Sequence, residues 1–170
     1  MRHFLKSQPN IKKQYEYLCY RENERQEHEY IDNLLLFFDK YRLYYEIILN
    51  DLTARDWMLN SYPFFWWGKI DVEKVSHHHV VTFYNLNHDS YIDFFEPFIN
   101  KNTRTSEFVY IIWFDDSRPI IKMRFLDVIK YIDNLLDEGW NTWVVCPEGG
   151  WCIEHHHIGE LSLCLLETYE

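Results

Sequence analysis

The residues best able to bind a metal or move a proton crowd into the last thirty positions of the chain. Three of the four cysteines (Cys146, Cys152 and Cys164) and three of the nine histidines (His155, His156 and His157) lie there. Cys146, Cys152 and His156, joined by a histidine from His77–His79, have the thiolate and imidazole donors that zinc prefers. On a strand, residues two apart share a face. Cys152, Glu154 and His156 therefore point one way, and Trp151, Ile153, His155 and His157 the other. Cys146 lies across the Gly149-Gly150 turn and opposes Cys152 if the register is symmetrical. The spacing matches no common zinc module, and a cysteine on a strand serves equally well as a small buried hydrophobe. Two readings stay open: a zinc site, making the chain a small metal-binding protein or a metal-dependent hydrolase, or core cysteines with surface histidines and no cofactor. Proton transfer is a second chemistry to weigh. His155 or His157 beside Glu148, Glu154 or Glu160 pairs a group that titrates near neutrality with a carboxylate able to orient it. Such neighbours also arise by chance in an acidic, histidine-rich chain.

Other chemistries lack their residues. Glycine occurs only five times, at 68, 139, 149, 150 and 159. No dinucleotide-binding or phosphate-cradling loop can be assembled from these. A nucleophile elbow and a zincin helix are absent too. His88-Asp89 is one dipeptide, and Asp89 is better explained as a helix cap. The expectation is a protein that is not an enzyme.

The elements that would position these residues read as follows. Asn141–Cys146, Trp151–His157 and Leu161–Leu166 are β-rich runs separated by glycine-bearing turns, which predicts a three-stranded antiparallel meander. His77-His78-His79 leads into Val80–Tyr84, the first strand, and Glu107–Phe114 is a nearly continuous apolar run that belongs in the middle of the sheet. A helix is expected from Ser90, shortened at Pro97. Ile120 to Glu138 contains another, with Phe125, Val128, Ile129, Ile132, Leu135 and Leu136 on one face and Asp127, Lys130, Asn134, Asp137 and Glu138 opposite, stopped by Gly139.

The N-terminal part reads as helical. A helix is expected over Ile11–Gln26 and a stronger one over Glu27–Leu49, where Tyr30, Leu34, Phe37, Phe38, Tyr41, Tyr44, Tyr45 and Ile48 fall on one stripe. Thr53-Ala54-Arg55-Asp56 has capping-box spacing. Tyr62-Pro63-Phe64-Phe65-Trp66-Trp67-Gly68 either plugs a junction in the core or forms an exposed aromatic patch for a partner. Together these predict an α+β (mixed α/β) fold in one domain spanning 1–170. Residues 1–70 form a helical segment, and residues 77–170 form an acidic portion with a mixed sheet, packed helices and the C-terminal meander.

Bulk charge narrows the partner. The 170 residues hold 17 Lys and Arg against 27 Asp and Glu, a net charge of −10. Nearly all the excess falls after residue 76. That argues against direct contact with a nucleic-acid backbone or an anionic membrane. Neither a signal peptide nor a membrane span is visible, so the cytoplasm is expected, where cysteines remain thiols. Aromatic residues are abundant, with 13 Tyr, 12 Phe and 7 Trp, and Tyr and Trp favour interfaces. The run Phe108–Phe114, the acidic helix Asp127–Glu138 and the meander Trp140–Leu166, in a small, acidic, glycine-poor chain, resemble the immunity proteins of bacterial contact-dependent and polymorphic toxin systems. The resemblance implies a cytoplasmic inhibitor that binds a cognate toxin domain, often a basic nuclease. It carries over no residue. The charge argument alone nominates Asp115, Asp116, Asp127, Asp133, Asp137, Glu138, Glu148 and Glu154 for steering a basic partner, with Trp66, Trp67, Trp140 and Trp151 as aromatic anchors.

Overall fold

A computed structural model describes residues 29–49, 51–82, 107–114, 118–136 and 141–166. The expected helices over Ile11–Gln26 and after Ser90 lie outside these residues, as does His88-Asp89. In chain order the described elements are α1 (Glu29–Tyr41), β1 (Tyr45–Ile48), α2 (Thr53–Ser61), a 3-10 turn (Val72–Lys74), β2 (His77–Thr82), β3 (Phe108–Trp113), β4 (Ile120–Arg124), α3 (Phe125–Lys130), α4 (Ile132–Leu136), β5 (Asn141–Cys146), β6 (Trp151–His156) and β7 (Glu160–Leu165). The seven strands form one sheet in the order β1-β4-β3-β5-β6-β7-β2. The fold is α+β as expected, and every described pairing in it is antiparallel.

Each face of the sheet carries its own core, because the strands alternate apolar side chains to both sides. On one face, Leu34 and Phe38 of α1 and Phe125, Val128, Ile132 and Leu136 of α3 and α4 cover Ile47, Ile111, Ile121, Val144, Trp151 and Leu163. On the other, Ala54 and Met58 of α2, with Tyr62, Ile70 and Val75, cover Ile48, Ile112, Trp143, Val145, Cys152 and Cys164. Burial on both sides leaves all six residues of β5 and all six of β6 inaccessible. Emptying part of such a site, as in Val145→Ala, costs about 1–3 kcal/mol in lost transfer energy and residual cavity.

One expected helix is shorter than its apolar stripe. The stripe over Glu27–Leu49 is helical only to Tyr41, since Arg42 takes a left-handed φ of 55° and Tyr45–Ile48 then pairs with β4. Within Ile120–Glu138 the stripe from Phe125 is helical as expected, carried by α3 and α4, while Ile120–Arg124 ahead of it is strand β4. The start of α2 differs from the capping-box expectation as well. Thr53 is its first residue, and the Asp51 carboxylate, not Asp56, accepts the exposed Thr53 N–H at 3.0 Å. An anion placed just ahead of the free amides meets both the orphan donors and the positive end of the helix dipole.

Candidate functional site

The most exposed large apolar side chain among the described residues, Trp66, sits on a loop hydrogen-bonded to the sheet. After α2, Tyr62 turns to extended backbone, and its hydroxyl donates to the Cys164 carbonyl at 3.2 Å. Residues 63–71 then fold back as a small hairpin. Phe64 bridges Ile70, Phe65 N–H donates to the Lys69 carbonyl at 2.8 Å, and Asp71 N–H donates to the Pro63 carbonyl at 2.8 Å. At the tip, Gly68 N–H donates to the Phe65 carbonyl at 3.0 Å, which places Trp66 and Trp67 at the two central positions of a β-turn. Gly68 is required twice over. Its φ is +85°, and a Cβ there would run into the ring of Phe114.

The aromatic run thus divides between the two expectations set out for it. Phe64 packs edge-on against buried Trp143 at 6.2 Å, plugging the core. Trp66 is 92% exposed, Trp67 43% and Phe114 54%. Phe65 stacks on Trp67 at 4.5 Å with 3° between planes, and Trp66 stands against Trp67 at 5.4 Å and 89°.

Beneath the loop lies a buried carboxylate. Glu154 on β6 is fully buried and accepts the Ile70 N–H at 3.0 and 3.2 Å and the Trp143 indole N–H at 2.9 Å. Burial raises its pKa from 4.5 to about 7, against those hydrogen bonds and the charge of Lys69, which favour the anion. Lys69 itself forms an ion pair with Glu160. Glu154 therefore ties the base of the aromatic loop to the sheet.

The histidines have anchoring contacts. His155 faces away from Glu154 and donates from Nδ1 to the Leu136 carbonyl at 2.9 Å, closing the end of α4. His157 sets both its backbone N–H and its Nδ1 on the side-chain oxygen of Asn141, at 3.2 and 3.0 Å. Nδ1 of His156 accepts the Ile158 N–H at 3.4 Å, while burial pulls the ring's pKa down to about 4. Neither His155 nor His157 is joined to a glutamate by these bonds.

The meander is as expected, but its first turn has four residues, so Cys146 opposes Trp151 and Val145 opposes Cys152. Residues directly opposite share a face. Cys146 accordingly packs with Trp151 in one core, and Cys152 packs with Cys164 in the other. The structure does not bring Cys146, Cys152 and His156 together, and among the described residues no three His, Cys, Asp or Glu side chains cluster as metal ligands. Burial lifts the Cys164 thiol to about 12 and Cys152 well above its ordinary value, so both are held as neutral core thiols.

Of the residues nominated for a partner, Trp66 and Trp67 are exposed, as is Glu148 in the β5–β6 turn. Two nominations need correction. Trp151 is fully buried against Phe125 at 5.3 Å, because it falls on the face that α3 covers, and Glu154 is buried under the loop. Asp127 and Asp133 are half-buried on α3 and α4, across the sheet from the aromatic loop. Asp115, Asp116, Asp137, Glu138 and Trp140 lie outside the described residues. Sequence reasoning missed Glu46 and Asp51, whose charges, with that of Glu148, act on Tyr110 and help hold its pKa above the ordinary value after burial. The alternation of β1 would have placed Glu46 beside Ile48 had that segment been read as a strand.

No helix among the described residues is long and apolar enough to cross a membrane. No curated protein matches the chain in sequence. The family model described as CdiI immunity protein, EcoliA0-like, matches residues 39–164, from the end of α1 into β7. That span takes in the aromatic loop, its Glu154 tether and more than half of the chain, and the chain belongs to this family of toxin-neutralising immunity proteins.

Proposed function

We propose that this immunity protein acts in the cytoplasm on a basic toxin domain, of the nuclease type, and holds it through the aromatic loop. The observation that carries the reading is Trp66, 92% exposed on a turn whose conformation is fixed by Glu154, Gly68 and Phe114. A large apolar ring presented to solvent on a turn tied to the sheet fits the role of an interface anchor. The net charge of −10 supplies the complementary field. Glu148 sits in the β5–β6 turn, at the other end of these strands from the loop tip, which meets Phe114 and Glu160; it contributes, like Asp127 and Asp133 on the far side, as long-range field.

The test is association of the purified chain with its cognate toxin domain, followed by stopped flow across a salt series. The expected outcome is a stoichiometric complex whose association rate falls steeply between low and physiological salt. A rate indifferent to salt would remove the basic partner from the proposal.

A further inference from the structure

We infer that the right-angled corner between Trp66 and Trp67 receives a cationic side chain, Arg or Lys, from the protein this chain binds. The inference rests on the proposed basic partner and adds how one of its charges is recognised.

Two perpendicular rings in contact enclose a corner with a π-face on at least one wall. Here the walls are Trp66 and Trp67, at 5.4 Å and 89°. Phe65, stacked on Trp67 at 4.5 Å, backs that wall. A cation above an indole face is drawn by the ring quadrupole, and tryptophan is the strongest of the aromatic partners. The chain uses this contact internally. Lys122 stands 5.2 Å from the Phe108 centroid and Lys130 5.1 Å from that of Tyr131. Among the described residues no such cation stands over Trp66 or Trp67, and Lys69, the cation of the loop itself, is engaged by Glu160. The negative net charge favours a cationic occupant over an anionic or purely apolar one.

The test uses the full chain labelled with 15N, with the Trp66 and Trp67 indole signals assigned from Trp66→Phe and Trp67→Phe. An acetylated tetra-arginine peptide is the probe, a tetra-glutamate peptide the charge control, and neutral phosphatidylcholine vesicles the apolar control. Saturable movement of both indole signals with tetra-arginine alone is expected, lost in Trp66→Ala and partly retained in Trp66→Phe, which keeps a π-face. No movement, equal movement with tetra-glutamate, or movement with vesicles instead would overturn the inference, the last by assigning the loop to a lipid surface.

A second arm separates this idea from the reading beneath it. Against the cognate toxin domain, Trp66→Ala should weaken affinity roughly tenfold, the size expected of a desolvated cation–π contact. Toxin binding that Trp66→Ala leaves unchanged defeats the corner and spares the immunity reading. Wild-type chain that ignores a basic toxin domain defeats the basic-partner reading itself.

Discussion

Glu154 shows how one residue can be read correctly for direction and wrongly for environment. Period-two alternation places it beside Cys152 and His156, as the structure does, yet an acidic side chain in a negative chain reads as surface. Its burial depends on donors 84 and 11 positions away, at Ile70 and Trp143. The proton linkage has a definite sign. The folded-state pKa is raised from 4.5 to about 7, so the native state holds this proton more tightly than the unfolded chain. The resulting stabilisation is complete below about 4.5 and is lost as pH rises through 7. Glu154→Gln keeps an acceptor for Ile70 N–H and removes the titration. The wild type should therefore lose stability relative to Glu154→Gln between pH 5 and pH 8, by on the order of 2 kcal/mol. Urea midpoints for both proteins across that range measure it, and parallel pH profiles would contradict it. His156 runs the opposite way, its depressed pKa favouring the fold above its ordinary value of 6.5 and losing that contribution as pH falls through about 4. Because it is common to both proteins, it cancels in the comparison.

At the scale of elements, the three C-terminal strands are legible because paired or single glycines punctuate runs of even length. The first half of the chain is harder. Tyr41, Tyr44, Tyr45 and Ile48 satisfy helical spacing, and a four-residue strand such as Tyr45–Ile48 is too short for its own period to compete. The same ambiguity hides β4 at the front of an apparent helix. The decision falls to Arg42 in its left-handed conformation and to the antiparallel partner, neither of which shows in a local window. The aromatic loop offered two readings, and the turn resolves them residue by residue, with Phe64 inward and Trp66 outward. Its dependence on Gly68 can be measured. Gly68→Ala should destabilise by about 1–3 kcal/mol, from the positive φ and the collision with Phe114 together. Phe114→Ala alone should cost less, since the ring is more than half exposed. Combined, the two should be less harmful than their sum, because the second removes the obstacle the first created. Strict additivity in chemical denaturation would mean that the ring and the glycine are not in contact.

For the whole molecule, the sheet puts the two sets of proposed partner residues on opposite sides, and this gives each a different kinetic signature. Asp127→Lys with Asp133→Lys alters the far-side field and leaves the loop intact. Association with a basic toxin domain should slow several-fold at low salt, with the difference gone at about 0.5 M, where the Debye length is only a few ångströms. Trp66→Ala should instead speed dissociation at every salt concentration. If the double aspartate variant changed dissociation as much as association, α3 and α4 would be the contact itself. The overall class was legible from alternating strands and helices, whereas the face that meets the partner was not. Facing is decided by strand order, and here β1 and β2, early in the chain, lie at the two outer positions of the sheet.

That order also has a consequence in time. The described partner of β1 is β4, and that of β2 is β7, which ends at Leu165. A ribosome delivers β1 and β2 first, but the strands they pair with are synthesised later, β7 last among the strands described. In the described pairings β1 waits for β4 and β2 for β7, and such long-range closure is slow compared with local folding. Protection by a newly made molecule therefore begins only after translation has passed Leu165 and the outer strands have docked.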